Sequence, residues 1–205
     1  MLVVGFDLDM TLIDSRPGIR ESLLALSADA GVFIDADLVL ARLGPKLEDE
    51  LGEWFPAADV PAMADLYRTH YFRHCVGGGT LRLPGASASV DAVRARGGRV
   101  VAVTAKSERM SHRCLEEVGI VVDAVVGHVH GDEKRDALRA CGAAVYVGDT
   151  IADIRAGIDA GAVSVGVATG MHNKEQLTDA GASVVFASLE EFPTWFADRS
   201  RDPAT

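Results

Sequence analysis

A chain of 205 residues, 48% hydrophobic and 24% charged, can bury one core, or one core with a modest insertion, and is excluded from the disordered class. Thirty acidic against twenty basic side chains leave a net charge of −10. Nucleic acid and anionic membrane are therefore disfavoured as partners, because both need a basic face, whereas a small anionic ligand feels only its local site.

The chain opens on the apolar run Leu2-Val3-Val4-Gly5-Phe6, which has neither the basic flank nor the length of a signal peptide and reads as a strand. It runs directly into Asp7-Leu8-Asp9-Met10-Thr11. From residue 15 to residue 83 no strand is expected. Ile19, Leu23 and Leu26 share one helical face, and further helices are expected over 38–43, 47–54 and 60–71. Gly77-Gly78-Gly79 is expected to be a flexible joint. These helices form a separate small bundle, joined by linkers at 14–17 and 77–83 and placed to act as a lid.

Beyond the insertion, short apolar strands at 99–103, 122–126, 144–147, 163–167 and 184–186 alternate with helices. Met110, Cys114, Leu115 and Val118 lie on one helical face, and Ile151, Ile154 and Ile158 on another. Continuous apolar strands suit a parallel sheet covered on both sides. The expected fold is thus α/β, a doubly wound parallel Rossmann-like core with an inserted helical cap, binding ligands at the carboxyl ends of the strands. The boundaries are 1–14 and 83–205 for the core and 15–82 for the cap. The tail 199–205 is expected to fray. No stretch approaches the roughly 18–20 apolar residues of a transmembrane helix. Cys75, Cys114 and Cys141 lack CxxC spacing and read as small core residues in a reducing, cytoplasmic setting.

The chemistry concentrates at strand ends. Asp7 and Asp9 close the first strand, an expensive juxtaposition unless a divalent cation offsets it, with a simple turn as the alternative. Gly148-Asp149-Thr150-Ile151-Ala152-Asp153 closes another strand. Asp149 and Asp153 suit a shared cation, while Thr150-x-x-Asp153 equally matches a capping box. Thr104, with Ala105 and Lys106 behind it, provides a hydroxyl and backbone N–H groups before a helix, either as a phosphate cradle or as a cap. Lys134 stands in the first turn of a helix, where the dipole disfavours it, although most exposed lysines are merely solvated. His128-x-His130 reads as a pair of loop histidines, and His70 and His74 share a cap-helix face. Trp54 and Phe55 read as packing anchors.

Taken in order, Asp7-Leu8-Asp9-Met10-Thr11 (DxDxT), Thr104 at a strand end, Lys134 and Gly148-Asp149-xxx-Asp153 (GDxxxD) resemble the four motifs of the haloacid dehalogenase superfamily. The insertion lies where that family carries a C1 cap. Leu43-Gly44-Pro45-Lys46-Leu47, Pro84-Gly85 and Ala160-Gly161-Ala162-x-x-Val165-Gly166-Val167 resemble its phosphoglycolate-phosphatase-like branch. The resemblance implies a Mg²⁺-dependent phosphatase in which Asp7 attacks phosphorus and Asp9 serves as proton donor and acceptor. It places Mg²⁺ on Asp7, the Asp9 backbone carbonyl, Asp149 and Asp153, the last direct or through water. Thr11, Thr104, Ala105 and Lys134 would hold the phosphoryl group, and Lys46 would attract the substrate from the cap. The implied partner is a small phosphorylated metabolite: phosphoglycolate, a nucleotide or a sugar phosphate. The alternatives are a sugar phosphomutase of the same superfamily and a non-catalytic regulator phosphorylated on aspartate. Met10 stands where the family usually has Gly, Ala105 where many relatives have Asn or Ser, and Arg135 where Pro is common.

Overall fold

The computed structural model describes residues 1–199, so the expected fraying of the tail lies, beyond Arg199, outside the described residues. Val3–Phe6 (β1) is buried along its whole length and sits at the centre of a six-stranded sheet. On one side it pairs with Arg99–Val103 (β4), and beyond that with Ala124–Val126 (β5). On the other lie Val145–Gly148 (β6), Val163–Val167 (β7) and Val184–Phe186 (β8). Every pairing is parallel, giving the order β5-β4-β1-β6-β7-β8. The chain builds outward from β1 to β5, then returns to β6 beside β1. The carboxyl ends of β1, β4 and β6 therefore flank the point where strand order reverses, where a doubly wound sheet opens a crevice.

Helices Ala86–Arg94 (α5), Glu108–Glu117 (α6), Asp132–Cys141 (α7), Ile151–Ala160 (α8), Lys174–Asp179 (α9) and Phe192–Arg199 (α10) cover the two faces. Phe6 meets Phe192 edge to face at 5.4 Å, which ties the central strand to the last helix. The strand expected over 122–126 begins only at Ala124. The Asp123 carboxylate accepts the Val100 N–H at 2.8 Å and so takes a bond that a ladder carbonyl would otherwise supply.

The insertion consists of Arg16–Ala30 (α1), Ala36–Ala41 (α2), Leu47–Leu51 (α3) and Val60–His74 (α4). Against expectation, its two linkers pair with each other. Ile13–Asp14 (β2) and Leu81–Arg82 (β3) form a two-stranded antiparallel ribbon. Two exposed residues have no periodicity to read, and this pairing exists only because the fold brings the linkers together. Of the triglycine only Gly79 is closely packed, where a Cβ would lie 1.6 Å from the His74 carbonyl oxygen; Gly77 and Gly78 have open space around them. The end of α4 is held against α6. Arg113 donates to the Phe72 carbonyl at 3.2 Å and, with Arg109, stacks on the Phe72 ring at 4.2 and 4.9 Å. Cys75 and Cys114 are buried free thiols and Cys141 is half-buried. Phe55 is buried and Trp54 partly so, its indole N–H on Glu50. His70 and His74 stack along α4, and His70 contacts Asp29 at 2.9 Å.

Candidate active site

The residue that ends β1 is Asp7, whose N–H still donates to Val147 O at 2.8 Å as if the strand continued. The chain then winds tightly. Leu8 O accepts from the N–H groups of Thr11, Leu12 and Ile13, and Met10 takes φ of 57° in the left-handed region. A non-glycine residue is strained in that region. The turn sends Asp7 and Asp9 to different surroundings.

Asp7 joins Asp149, which ends β6, and Asp153, in the first turn of α8. All three are buried, and a carboxylate oxygen from each lies within 4.8 Å of the other two. Asp153 divides its work between its two oxygens. Oδ2 accepts from Thr150 N and Oγ1 at 3.1 and 2.6 Å, completing the capping box that the sequence posed as the alternative. Oδ1 accepts from Lys134 Nζ at 2.6 Å and Tyr146 OH at 3.1 Å. Asp153 thus caps a helix and belongs to the cluster at once, with both oxygens already bonded. Lys134 is only 4% exposed, far from a solvated lysine, and its Nζ also lies 3.3 Å from Asp7 Oδ1. That contact is an ion pair without hydrogen-bond geometry, and Asp7 Oδ1 is a buried oxygen with no hydrogen-bond donor among the described residues.

One lysine cannot neutralise three buried carboxylates. Burial, opposed by Lys134 and reinforced by Asp153 and Asp9, pushes Asp7 up to about 7. Burial and then the charges of Asp153 and Asp7 push Asp149 well above the ordinary carboxylate range. Burial works to raise Asp153 too, but Lys134 and the Thr150 bonds overcome it and hold it below its usual value. For Lys134 the charges of Asp153 and Asp7 outweigh burial and hold the ammonium above its ordinary range. A buried all-oxygen donor set with an orphaned oxygen and excess negative charge fits a hard divalent cation.

Asp9 faces the cleft. Its Oδ1 accepts from Ser15 Oγ at 2.5 Å and lies 3.3 Å from Lys106 Nζ. The sequence marks Lys106 only as a backbone donor. It is half-buried, donates to Tyr71 OH at 3.1 Å, and stands 4.3 Å from the centre of the Tyr71 ring on α4. Nothing in the local sequence marks this contact, since Tyr71 lies in a different element.

Thr104 directly follows β4 and is buried at the cleft, beside the half-buried Ala105. It does not cap α6: Ser107 occupies the N-cap, and Thr104 Oγ1 instead accepts from Lys106 N at 3.3 Å. Two expected phosphate contacts are placed elsewhere. Thr11 is fully buried behind Asp149, donating to its Oδ1 at 3.1 Å, so it orients that carboxylate. Lys46 is drawn to Glu133 at 2.5 Å, across from the cap, and does not line the cleft. His128 lines the cleft with φ of 60°, and no histidine joins the acidic cluster among the described residues.

A family model described as haloacid dehalogenase-like hydrolase matches residues 1–161. The chain belongs to that family. As a haloacid dehalogenase-like hydrolase it is an enzyme, and its sheet and inserted helices follow the family fold. It is 30% identical to a phosphoglycolate phosphatase of Rhodospirillum rubrum, over 94% of this chain and 89% of that protein. It is 28% identical to a phosphoglycolate phosphatase of Agrobacterium fabrum, over 80% of this chain and 79% of that one. The structure of a predicted phosphatase from Clostridium acetobutylicum superposes with a TM-score of 0.78 at 25% identity, covering 96% of this chain and 98% of the other. No helix among the described residues is long and apolar enough to cross a membrane.

A residue outside the four motifs also shapes the cluster. Gly170, beyond β7, packs so closely that a Cβ there would lie 1.8 Å from Asp149 Oδ2. The neighbouring Thr169 donates to Met10 O at 2.5 Å, bracing the same loop against the motif-one turn. Gly170→Ala is expected to displace Asp149 and weaken the affinity of the cluster for a divalent cation by at least roughly tenfold. Calorimetric Mg²⁺ titration, with circular dichroism as the check on folding, reads this directly. An unchanged affinity in a folded variant would contradict it.

Proposed function

We propose that this hydrolase is a Mg²⁺-dependent phosphatase acting on a small phosphomonoester through an aspartyl-phosphate on Asp7, with residues 15–82 as cap and 1–14 and 83–205 as core. The observation that carries the reading is the division of labour within one turn. Asp7 sits in the acidic cluster beside Lys134, while Asp9, two residues on, faces the cleft from the other side. A nucleophile and a proton carrier thereby flank one reaction space.

In the first step an Asp7 oxygen attacks phosphorus in line, and the P–O bond to the leaving alcohol breaks. Asp9 gives its proton to that leaving oxygen. In the second, water attacks the phosphorus of the aspartyl-phosphate, surrenders a proton to Asp9, and the P–O bond to Asp7 breaks to release inorganic phosphate. Lys134, the Thr104 hydroxyl and the Ala105 N–H hold the phosphoryl oxygens while charge moves between the entering and leaving groups. Thr11 orients Asp149, and Asp153 holds Lys134 in place. Asp7 and Asp149 would hold Mg²⁺ with the Asp9 backbone carbonyl, and Asp153 through water. When bound, the ion supplies the positive charge that keeps Asp7 ionised beside an anionic phosphate.

Asp9 and its hydrogen-bonded neighbours favour phosphate-ester hydrolysis over dehalogenation, which has no leaving oxygen to protonate. The names of the curated relatives point the same way. Phosphate release from p-nitrophenyl phosphate tests the reading. Turnover that requires Mg²⁺ and stops with EDTA is expected, and no turnover at any Mg²⁺ concentration would overturn it.

A further inference from the structure

Beyond the phosphoryl end, the cleft is bounded chiefly by hydrocarbon. Ile19, Leu23, Val39, Leu43, Leu47 and Met110 line it, and the Tyr67 and Tyr71 rings stack at 5.8 Å along one wall. Its cations are already committed. Arg68 is paired with Glu48 and with Asp65, the latter at 3.2 Å. Lys106 is held between Asp9 and Tyr71. Glu48 and Glu50 also line this end, and Glu50 is engaged by Arg42 at 2.6 Å from outside the cleft. His128 is the remaining basic side chain of the lining. A second anionic group on the substrate would find no uncommitted lysine or arginine among the described lining residues. To gain one it would have to break an existing pair and leave a carboxylate unpaired.

We infer that the leaving-group subsite takes a small, uncharged, apolar group and discriminates against phosphomonoesters that carry a second anion. The inference rests on the phosphatase reading and narrows it away from the carboxylate-bearing substrate for which the curated relatives are named. Size supports it as well: the cleft holds a cavity of about 120 Å³ and is open to solvent beyond it, where an aryl leaving group would project. A leaving group of a few carbons fills the apolar part, and each methylene it buries strengthens binding roughly fourfold.

The test compares isobutyl phosphate with 2-phosphoglycolate, whose leaving groups are similar in size and differ in charge, alongside p-nitrophenyl phosphate. The expected result is a kcat/KM at least roughly tenfold higher for isobutyl phosphate. Turnover of p-nitrophenyl phosphate together with an equal or higher kcat/KM for 2-phosphoglycolate overturns the subsite assignment and leaves the phosphatase reading intact. Failure of all three substrates overturns the phosphatase reading itself, and the subsite with it. Leu47→Arg, which adds an uncommitted cation to the apolar wall, is expected to shift the ratio at least roughly tenfold toward 2-phosphoglycolate. Leu43→Lys does the same from the neighbouring position if Leu47→Arg does not fold. A folded variant with an unchanged ratio counts against the assignment.

Discussion

Asp7→Asn is expected to abolish phosphatase turnover, by about four orders of magnitude or more, while making the metal-free protein more stable at pH 8. The loss follows from removing the group that forms the covalent bond, for which the amide offers no anionic oxygen. The gain in stability follows from the electrostatics. Burial and the neighbouring carboxylates push Asp7 from 3.8 up to about 7 in the folded chain. The folded state therefore holds this proton more tightly than the unfolded state. That stabilisation is complete below pH 4 and is lost as pH rises through 7. At pH 8 the metal-free parent bears the full cost of the buried charge, and the Asn variant does not. Thermal unfolding in EDTA should show a Tm a few degrees higher for the variant at pH 8, with the difference shrinking toward pH 5. A variant less stable than the parent at pH 8 would contradict this account of the cluster.

Removing the opposing charge should have the opposite sign. Lys134→Met takes away the ammonium that lies 2.6 Å from Asp153 and 3.3 Å from Asp7. Loss of one partner from a buried pair costs about 3–5 kcal/mol, on the order of 10 °C in Tm for a chain of this size. A solvated surface lysine would cost under about 0.5 kcal/mol, so the two readings of Lys134 separate cleanly in a thermal melt. Turnover should fall as well, because the same ammonium lies 3.3 Å from Asp7, the proposed nucleophile. Added Mg²⁺ should recover part of the lost stability, since a cation at the cluster replaces some of the missing positive charge. Opposite signs for Asp7→Asn and Lys134→Met would establish that charge, rather than packing, governs this region.

The strand ends were legible because the strands were. β1 and β4 are almost wholly buried apolar runs, so their limits could be read from composition and their ends located at Asp7 and Thr104. The acidic pair after β6 was legible for the same reason. Other features depend on contacts between distant parts of the chain. The sequence posed Asp153 as either a cap or a cluster residue, and the structure has it as both, because one oxygen faces Thr150 and the other Lys134. Lys106 and Tyr71 lie 35 residues apart, and no local pattern announces that an ammonium will sit on that ring and beside Asp9. Lys46 looked like a lysine offered to substrate until folding placed Glu133 against it. The β2–β3 ribbon was invisible for a related reason: two residues on each side pair only because the insertion returns its ends to one place.

In the proposed mechanism Asp7 itself carries the phosphoryl group during turnover. Acid quenching during steady-state hydrolysis of p-nitrophenyl phosphate, followed by peptide mass analysis, tests it most directly. The expected result is a hydroxylamine-labile phosphoryl adduct on the peptide containing Asp7, absent without Mg²⁺ and absent in Asp7→Asn. An active enzyme that shows no adduct on Asp7, or an Asp7→Asn variant that retains full turnover, would contradict it.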